Sequence, residues 1–159
     1  MDFRIGFGYD IHQLVEGRDL WLGGIRLESV KGALGHSDAD VLIHAICDAI
    51  LGAANLRDIG FHFPDTDPKY KGADSKGLLA GVYDLMSSRG YQIGNIDCTI
   101  VLEKPKVNPH IPSMIKVISE ILNTSTEQVS IKATTSEKLG FAGREEGIKA
   151  YAVVLIKKL

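Results

Sequence analysis

The chain predicts an α+β fold, a single-domain sandwich with helices packed on one face of a mixed β-sheet. Strand-like alternation and amphipathic helical stripes succeed one another in the order β, β, α, α, β, α, β, β. The 159 residues suit a single domain, 1–159, able to bury roughly 68–70% of its unfolded surface. A composition of 45% hydrophobic and 24% charged residues is that of a packed chain and argues against disorder.

Residues 3–14 alternate as a strand, and Gly6 and Gly8 within it let another backbone come close. Leu20-Trp21-Leu22 and Ile25-Arg26-Leu27 flank Gly23-Gly24, which predicts a hairpin or a bulged strand. Residues 31–35 read as a loop. Ser37 is the expected N-cap of the first helix, with Asp40 standing where a capping box has Glu. Val41, Leu42, Ala45, Ile46, Ala49, Ile50 and Ala53 then repeat at helical spacing. Residues 55–72 contain Gly60, Pro64, Pro68 and Gly72 and predict a long loop, whose aromatic and charged residues suit a lid.

Asp74 or Ser75 caps a second helix, with Leu78, Leu79, Val82, Leu85 and Met86 on one face and Gly90 beyond its end. Residues 91–103 alternate as a strand that Lys104-Pro105-Lys106 ends. A third helix starts near Pro112, with Ile111, Ile115, Ile118 and Leu122 as its stripe. Residues 129–133 form a short strand, 134–146 a polar loop and 148–156 a final strand. That strand is apolar on both faces, so the sheet face away from the helices predicts packing between subunits.

Eighteen basic against 20 acidic residues, net −2, give no support for a grip on nucleic acid or an anionic membrane. No apolar run approaches the ~18–20 residues that span a bilayer. The pattern passes from Met1 directly into a strand, so no secretory signal is expected. Cys47 and Cys98 lie in apolar patterns with no CxxC pair, which suits buried free thiols in a reducing, intracellular setting.

Chemistry concentrates at three places. Asp10 and His12 are two apart, so in a strand they leave the same face and set a carboxylate oxygen beside an imidazole nitrogen. A helix facing that strand can add His44, giving a three-ligand metal site with a position left open. Asp48, one turn on, is expected to hydrogen-bond the free nitrogen of His44. Ser37 at a helix N-terminus with His36 beside it makes a candidate phosphate pocket. The hydroxyl-rich segment from Lys132 to Phe141 suits phosphate oxygens, with Glu137 able to hold Mg²⁺. Each of these also has a plain structural reading: an edge strand, a core histidine, a helix cap, a solvated turn.

Gly6-Phe7-Gly8-Tyr9-Asp10-Ile11-His12, His36-Ser37-Asp38, Asp58-Ile59-Gly60, Phe63-Pro64-Asp65-Thr66-Asp67-Pro68 and the stretch from Lys132 to Arg144 together resemble 2-C-methyl-D-erythritol 2,4-cyclodiphosphate synthases. These are the ring-closing enzymes of non-mevalonate isoprenoid biosynthesis. The resemblance runs from about Arg4 to Ile156, and five blocks in order are more specific than any one.

It implies that Asp10, His12 and His44 bind Zn²⁺ and that Glu137 holds a second ion, Mg²⁺ or Mn²⁺, on the diphosphate. It implies a homotrimer whose sheets face the trimer axis and whose active sites lie between subunits. The implied substrate is 4-diphosphocytidyl-2-C-methyl-D-erythritol 2-phosphate, with the cyclic diphosphate and CMP as products.

His36 and Thr135 fall on the positions credited with stabilising the transition state. His36 and Ser37 are implied to meet the phosphate and erythritol parts, and Asp58, Ile59 and Gly60 the diol. Phe63, Pro64, Asp65, Thr66 and Asp67 are implied to form the lid. The implied cytidine pocket takes in Leu102, Lys104, Pro105, Lys106, Val107, Asn108, Ala133, Thr134 and Thr135, with Ser136 next to it. Phe141 and Arg144 match positions near the axis, where some members hold an isoprenoid diphosphate. Ala39 and Ser136 replace the Gly and Thr of many relatives without removing a ligand.

The resemblance also implies a bacterial cytoplasmic enzyme, with a plastid origin left open if a transit peptide has been removed. A zinc phosphohydrolase using the same ligands is the alternative enzyme, and a non-catalytic nucleotide-binding trimer the alternative of another class.

Overall fold

The spine of the molecule is the 14-residue strand β1 (Phe3–Glu16), in a computed structural model that describes residues 2–159. Two short strands follow, β2 (Leu20–Leu22) and β3 (Ile25–Leu27), paired antiparallel as the expected hairpin about Gly23-Gly24. Next come β4 (Lys31–Leu34), α1 (Val41–Ala53), α2 (Ile59–His62), α3 (Ser75–Ser88), β5 (Tyr91–Val101), α4 (Ile111–Ile121), β6 (Val129–Thr134), α5 (Gly140–Gly143) and β7 (Gly147–Lys158). Five strands form one sheet in the order β4-β1-β7-β5-β6. All neighbours are antiparallel except β5 and β6, so the sheet is mixed as expected.

Helix α1 runs against β1 and β7 at the centre of the helical layer. Ten of its thirteen residues are buried, so it is apolar nearly all round, the pattern of a core helix. Burying a side chain such as Ile46 or Ile50 is worth roughly 1.5–3 kcal/mol. The half-buried exceptions are His44 and Asp48, one turn apart. A Cβ on Gly6 or Gly8 would lie 1.8 Å from the carbonyl oxygens of Ala49 and Ala45 respectively. The strand glycines and the Ala45, Ala49 stripe therefore bring the two backbones into direct contact. Cys47 and Cys98 are buried free thiols.

Alternation divides the sheet sharply. Gly6, Gly8, Ala150, Ala152, Val154 and Ile156 face the helices and are buried. Phe3, Ile5, Phe7, Tyr9 and Ile11 face away, 54%, 71%, 63%, 42% and 41% exposed, beside Val153 at 43%. The apolar second face predicted from the last strand is thus present and uncovered, and β1 extends it.

Four local expectations are corrected. Residues 31–34 are not a loop: they pair with β1 as an edge strand, Gln13 opposite Leu34. Ser37 does not cap α1, because Ala39 takes a left-handed φ of 58° and turns the chain before the helix starts. Asp40 is the N-cap, accepting from the Ile43 N–H at 3.1 Å. Its carboxylate also accepts the N–H groups of Gly23 and Gly24 at 3.0 and 2.7 Å, binding the hairpin to the helix. The expected lid loop contains α2 and a 3₁₀ turn at Pro68–Tyr70, and the polar C-terminal loop contains α5.

Candidate active site

Strand β1 sends Asp10 and His12 to its helical face, and α1 sends His44 down onto them. Asp10 Oδ2 lies 2.9 Å from His12 Nε2 and 3.0 Å from His44 Nδ1, and the two nitrogens are 3.2 Å apart. These three are the cluster of potential metal ligands among the described residues.

The surrounding hydrogen bonds decide where the ring protons sit. His12 Nδ1 is 3.0 Å from the Leu34 carbonyl oxygen, which can only accept, so Nδ1–H donates and Nε2 turns a bare lone pair inward. Edge strand β4, which supplies that carbonyl, is the element the sequence pattern hides. His44 Nε2 is 2.9 Å from Ser75 Oγ. The Ser75 hydroxyl donates to Asp38 Oδ1, so its oxygen accepts the proton of His44 Nε2 and leaves Nδ1 bare.

Two imidazole lone pairs and a carboxylate oxygen at 2.9–3.2 Å need a positive charge among them. A tetrahedral zinc with ligands at ~2.0–2.2 Å places its donor atoms about 3.3 Å apart, close to this spacing. The donor set therefore fits a divalent cation. Without one, a shared proton takes its place. Burial works against the charge on Asp10, yet the bonds from His12 and His44 and their positive fields hold its carboxyl at about 2. Burial likewise disfavours the His44 imidazolium, but the Asp10 carboxylate overrides it and raises the ring above its ordinary value.

The cluster opens on a cavity of about 430 Å³ lined by His12, His36, Ser37, His44, Ile59 and Gly60. Phe63, Asp65, Tyr70 and Leu78 complete the far wall. Ser37 Oγ lies 3.2 Å from His44 Nε2 and accepts from the Ala39 N–H. The chain at His36 and Asp38 is tied to the end of the lid segment by the bonds Gly72 N to His36 O and Asp38 N to Ala73 O. Asp38, Ser75 and His44 are not a nucleophilic triad: the serine stands in the middle, is fully buried and donates to the acid.

A second cavity, of about 280 Å³, is lined by Leu102, Glu103, Pro105, Lys106, Val107, Asn108, Ala133, Thr134 and Thr135. It shares no lining residue with the first.

A model of the YgbB family matches residues 3–157. The chain belongs to that family. It is 66% identical over 154 residues to a 2-C-methyl-D-erythritol 2,4-cyclodiphosphate synthase of Porphyromonas gingivalis, covering 97% of this chain and 95% of that one. Among solved structures it resembles the bifunctional IspDF of Campylobacter jejuni, with a TM-score of 0.96 and 40% identity over 99% of this chain and 43% of that one. It also resembles a 2C-methyl-D-erythritol-2,4-cyclodiphosphate synthase in a CDP-bound form, with a TM-score of 0.90, 38% identity and coverage of 97% and 100%.

In this YgbB-family chain the sequence-derived residues therefore separate into two groups. His36, Ser37, Ile59, Gly60, Phe63 and Asp65 gather with the metal ligands, while Leu102, Pro105 to Asn108 and Ala133 to Thr135 gather at the second cavity. Others lie apart from both linings. Asp58 caps α2 through the Phe61 N–H, Asp67 caps the 3₁₀ turn through the Lys69 N–H, and Pro64 and Thr66 lie in the segment between. Lys104 pairs with Glu145, and Ser136 bonds Glu103 and the Leu139 carbonyl. Phe141 packs on Gly147 beneath Lys149, and Arg144 pairs with Glu146. Glu137 is exposed with φ at 50° and lies outside the metal cluster.

Asp48 is corrected. Its carboxylate accepts the Ile59 N–H at 2.8 Å and secures α2, while Ser75 takes the His44 proton expected for it. The pattern also missed Tyr70, Leu78 and Ser75. Tyr70 meets Phe63 edge-to-face at 5.5 Å, but an aromatic in a loop carries no periodic signal.

Proposed function

We propose that this chain converts 4-diphosphocytidyl-2-C-methyl-D-erythritol 2-phosphate into 2-C-methyl-D-erythritol 2,4-cyclodiphosphate and CMP. The observation that carries the reading is the convergence of Asp10, His12 and His44, whose two histidines line a cavity shared with His36 and Ser37. The family membership and the names of its relatives agree with it.

Ring closure is a phosphoryl transfer within one molecule: an oxygen of the 2-phosphate bonds to the β-phosphorus, whose bond to the CMP oxygen breaks. The attacking phosphate is already largely ionised at neutral pH, so the reaction needs no protein nucleophile. The chain must instead hold attacking and leaving oxygens in line. His36 and Ser37, on the cavity wall, donate to phosphate oxygens, and the exposed backbone at Gly60 receives the diol. Phe63 and Tyr70, packed edge-to-face in the lid, limit water's access to the bent substrate. Asp10, His12 and His44 would hold Zn²⁺ and the exposed Glu137 would hold Mg²⁺ or Mn²⁺, ions that would supply Lewis-acid polarisation and charge neutralisation of the diphosphate.

The active form in this proposal is a homotrimer. Two half-sites that share no residue within one chain, and an uncovered apolar sheet face, both support it. The second cavity then receives the cytidine of a substrate whose diphosphate lies at a neighbouring subunit's cation site, and Thr135 meets the phosphates. The segment with half-buried Phe141 and exposed Arg144 is assigned to the axis, with an isoprenoid diphosphate as its ligand. A cytoplasmic location in a bacterium belongs to the same proposal; the curated relative named above is bacterial, and no helix among the described residues is long and apolar enough to cross a membrane.

Incubation of the purified protein with the substrate, followed by phosphorus NMR, tests this. A cyclic diphosphate with equimolar CMP is the expected outcome. An open-chain phosphate identifies a hydrolase, and nucleotide binding without turnover a regulatory protein; either overturns the proposal.

A further inference from the structure

We infer that Ser75, anchored by Asp38, is a positioning residue that fixes which nitrogen of His44 faces the cation. The inference rests on the reading of Asp10, His12 and His44 as a cation site.

Ser75 is fully buried at the first position of α3. One carboxylate holds it twice: its N–H donates to Asp38 Oδ2 at 2.9 Å and its hydroxyl to Asp38 Oδ1. Asp38 Oδ1 is in turn fixed by the Asp40 N–H, just ahead of the helix that carries His44. With its only proton committed to an acceptor, Ser75 Oγ can meet His44 Nε2 at 2.9 Å only by accepting. That assigns the ring proton to Nε2 and the lone pair to Nδ1. Nδ1 is the nitrogen that lies 3.0 Å from Asp10 Oδ2.

A hydroxyl free to rotate could donate to Nε2 instead and stabilise the opposite tautomer; the Asp38 anchor removes that choice. Ser37 Oγ, 3.2 Å from the same nitrogen, is the longer contact and lines the cavity. Ser75 thus spares Ser37 for the substrate.

His12 provides an internal control, because its proton is fixed independently by the Leu34 carbonyl. The test compares zinc-loaded full-length protein, wild type and Ser75→Ala, by chelator competition and by NMR of the imidazole N–H protons. The wild type should hold one zinc per chain and show protected imidazole N–H signals from His12 and His44, beside that of His62, whose Nε2–H donates to the Leu56 carbonyl at 2.7 Å. Ser75→Ala should bind zinc about 10-fold more weakly and lose or shift the His44 signal alone. Ser75→Thr keeps the hydroxyl and should keep that signal.

Equal zinc affinity and an unchanged His44 signal in Ser75→Ala would overturn the inference while leaving the cation site standing. Loss of both signals in both variants would assign Ser75 to packing only and overturn it too. A wild type that takes up no zinc would remove the cation site itself.

Discussion

The carbonyl oxygen of Ala45 lies 1.8 Å from where a Cβ on Gly8 would sit, so helix and strand meet with no side chain between them. Gly8→Ala must drive α1 off β1, and His44 precedes Ala45 in that helix. Overpacking of this kind costs about 1–3 kcal/mol or more. The variant should unfold at lower denaturant and bind zinc more weakly, both measured on the same preparation. Wild-type values for the two would mean that the close approach does not position His44.

Asp10 and His44 also set the response to pH. The His44 value is raised in the folded state, so its contribution to stability is full below the ordinary 6.5 and is lost as pH rises through the folded value. Asp10 is lowered from 3.8 to about 2, so its contribution is present above 3.8 and is lost as pH falls toward 2. A cation displaces the proton the pair shares, so zinc should bind more tightly as pH rises. Melting curves from about pH 5 to pH 8 should show the gap between zinc-loaded and zinc-free protein widening with pH. A gap that narrows contradicts the shared-proton reading.

Much of the fold and of the Asp10, His12 and His44 cluster was legible because periodic patterns report on faces. Asp10 and His12 share a face by the strand period of two, and the apolar stripe of α1 announces a helix that must lie against something. What stayed hidden depends on partners distant in sequence. Ser37 and Asp40 are both acceptable caps by residue type. Asp40 wins because the Gly23 and Gly24 N–H groups reach it and because Ala39 turns left-handed. Asp48 has the helical spacing to reach His44, yet Ile59 claims its carboxylate from another element. Residues 31–34 are too few to show alternation, and Gly32 sits where a Cβ would strike the Asp19 carbonyl. Whether the two cavities join is a question of assembly, and one chain's pattern shows only that a sheet face is apolar.

Asp40 tests the reading of the buried cap. Its carboxylate is fully buried and satisfies three N–H groups from two elements. Asp40→Ala strands all three, and each unsatisfied buried group costs about 1–3 kcal/mol. The variant should lose about 3 kcal/mol or more in urea unfolding. A loss below about 1 kcal/mol would mean that water replaces the carboxylate.

The apolar sheet face makes a prediction about assembly. Ile5 and Phe7 are the most exposed of the β1 row, at 71% and 63%, and neighbour Leu155 and Val153 of β7. A charge placed there in a buried interface would stand unpaired and costs several kcal/mol. If the proposed homotrimer packs through this face, Phe7→Glu should shift the mass in analytical ultracentrifugation from trimer to monomer and abolish turnover, while the folded monomer keeps its melting transition. A trimer that survives the substitution assigns the subunit contact to another surface.

Thr135 separates binding from chemistry. It lies at the rim of the second cavity, exposed, and its Oγ1 accepts from the Glu137 N–H at 3.3 Å, which leaves its own proton free to donate. If that proton meets phosphate oxygens as charge redistributes, its removal acts on the transition state and hardly on the nucleotide base. Loss of one such donor costs about 10²–10³ in kcat. Thr135→Ala should therefore lower kcat by about that factor while CMP affinity changes less than about threefold. Equal losses in kcat and CMP affinity would make Thr135 part of the nucleotide pocket only, and the stabilising donor would then have to come from His36 or the lid.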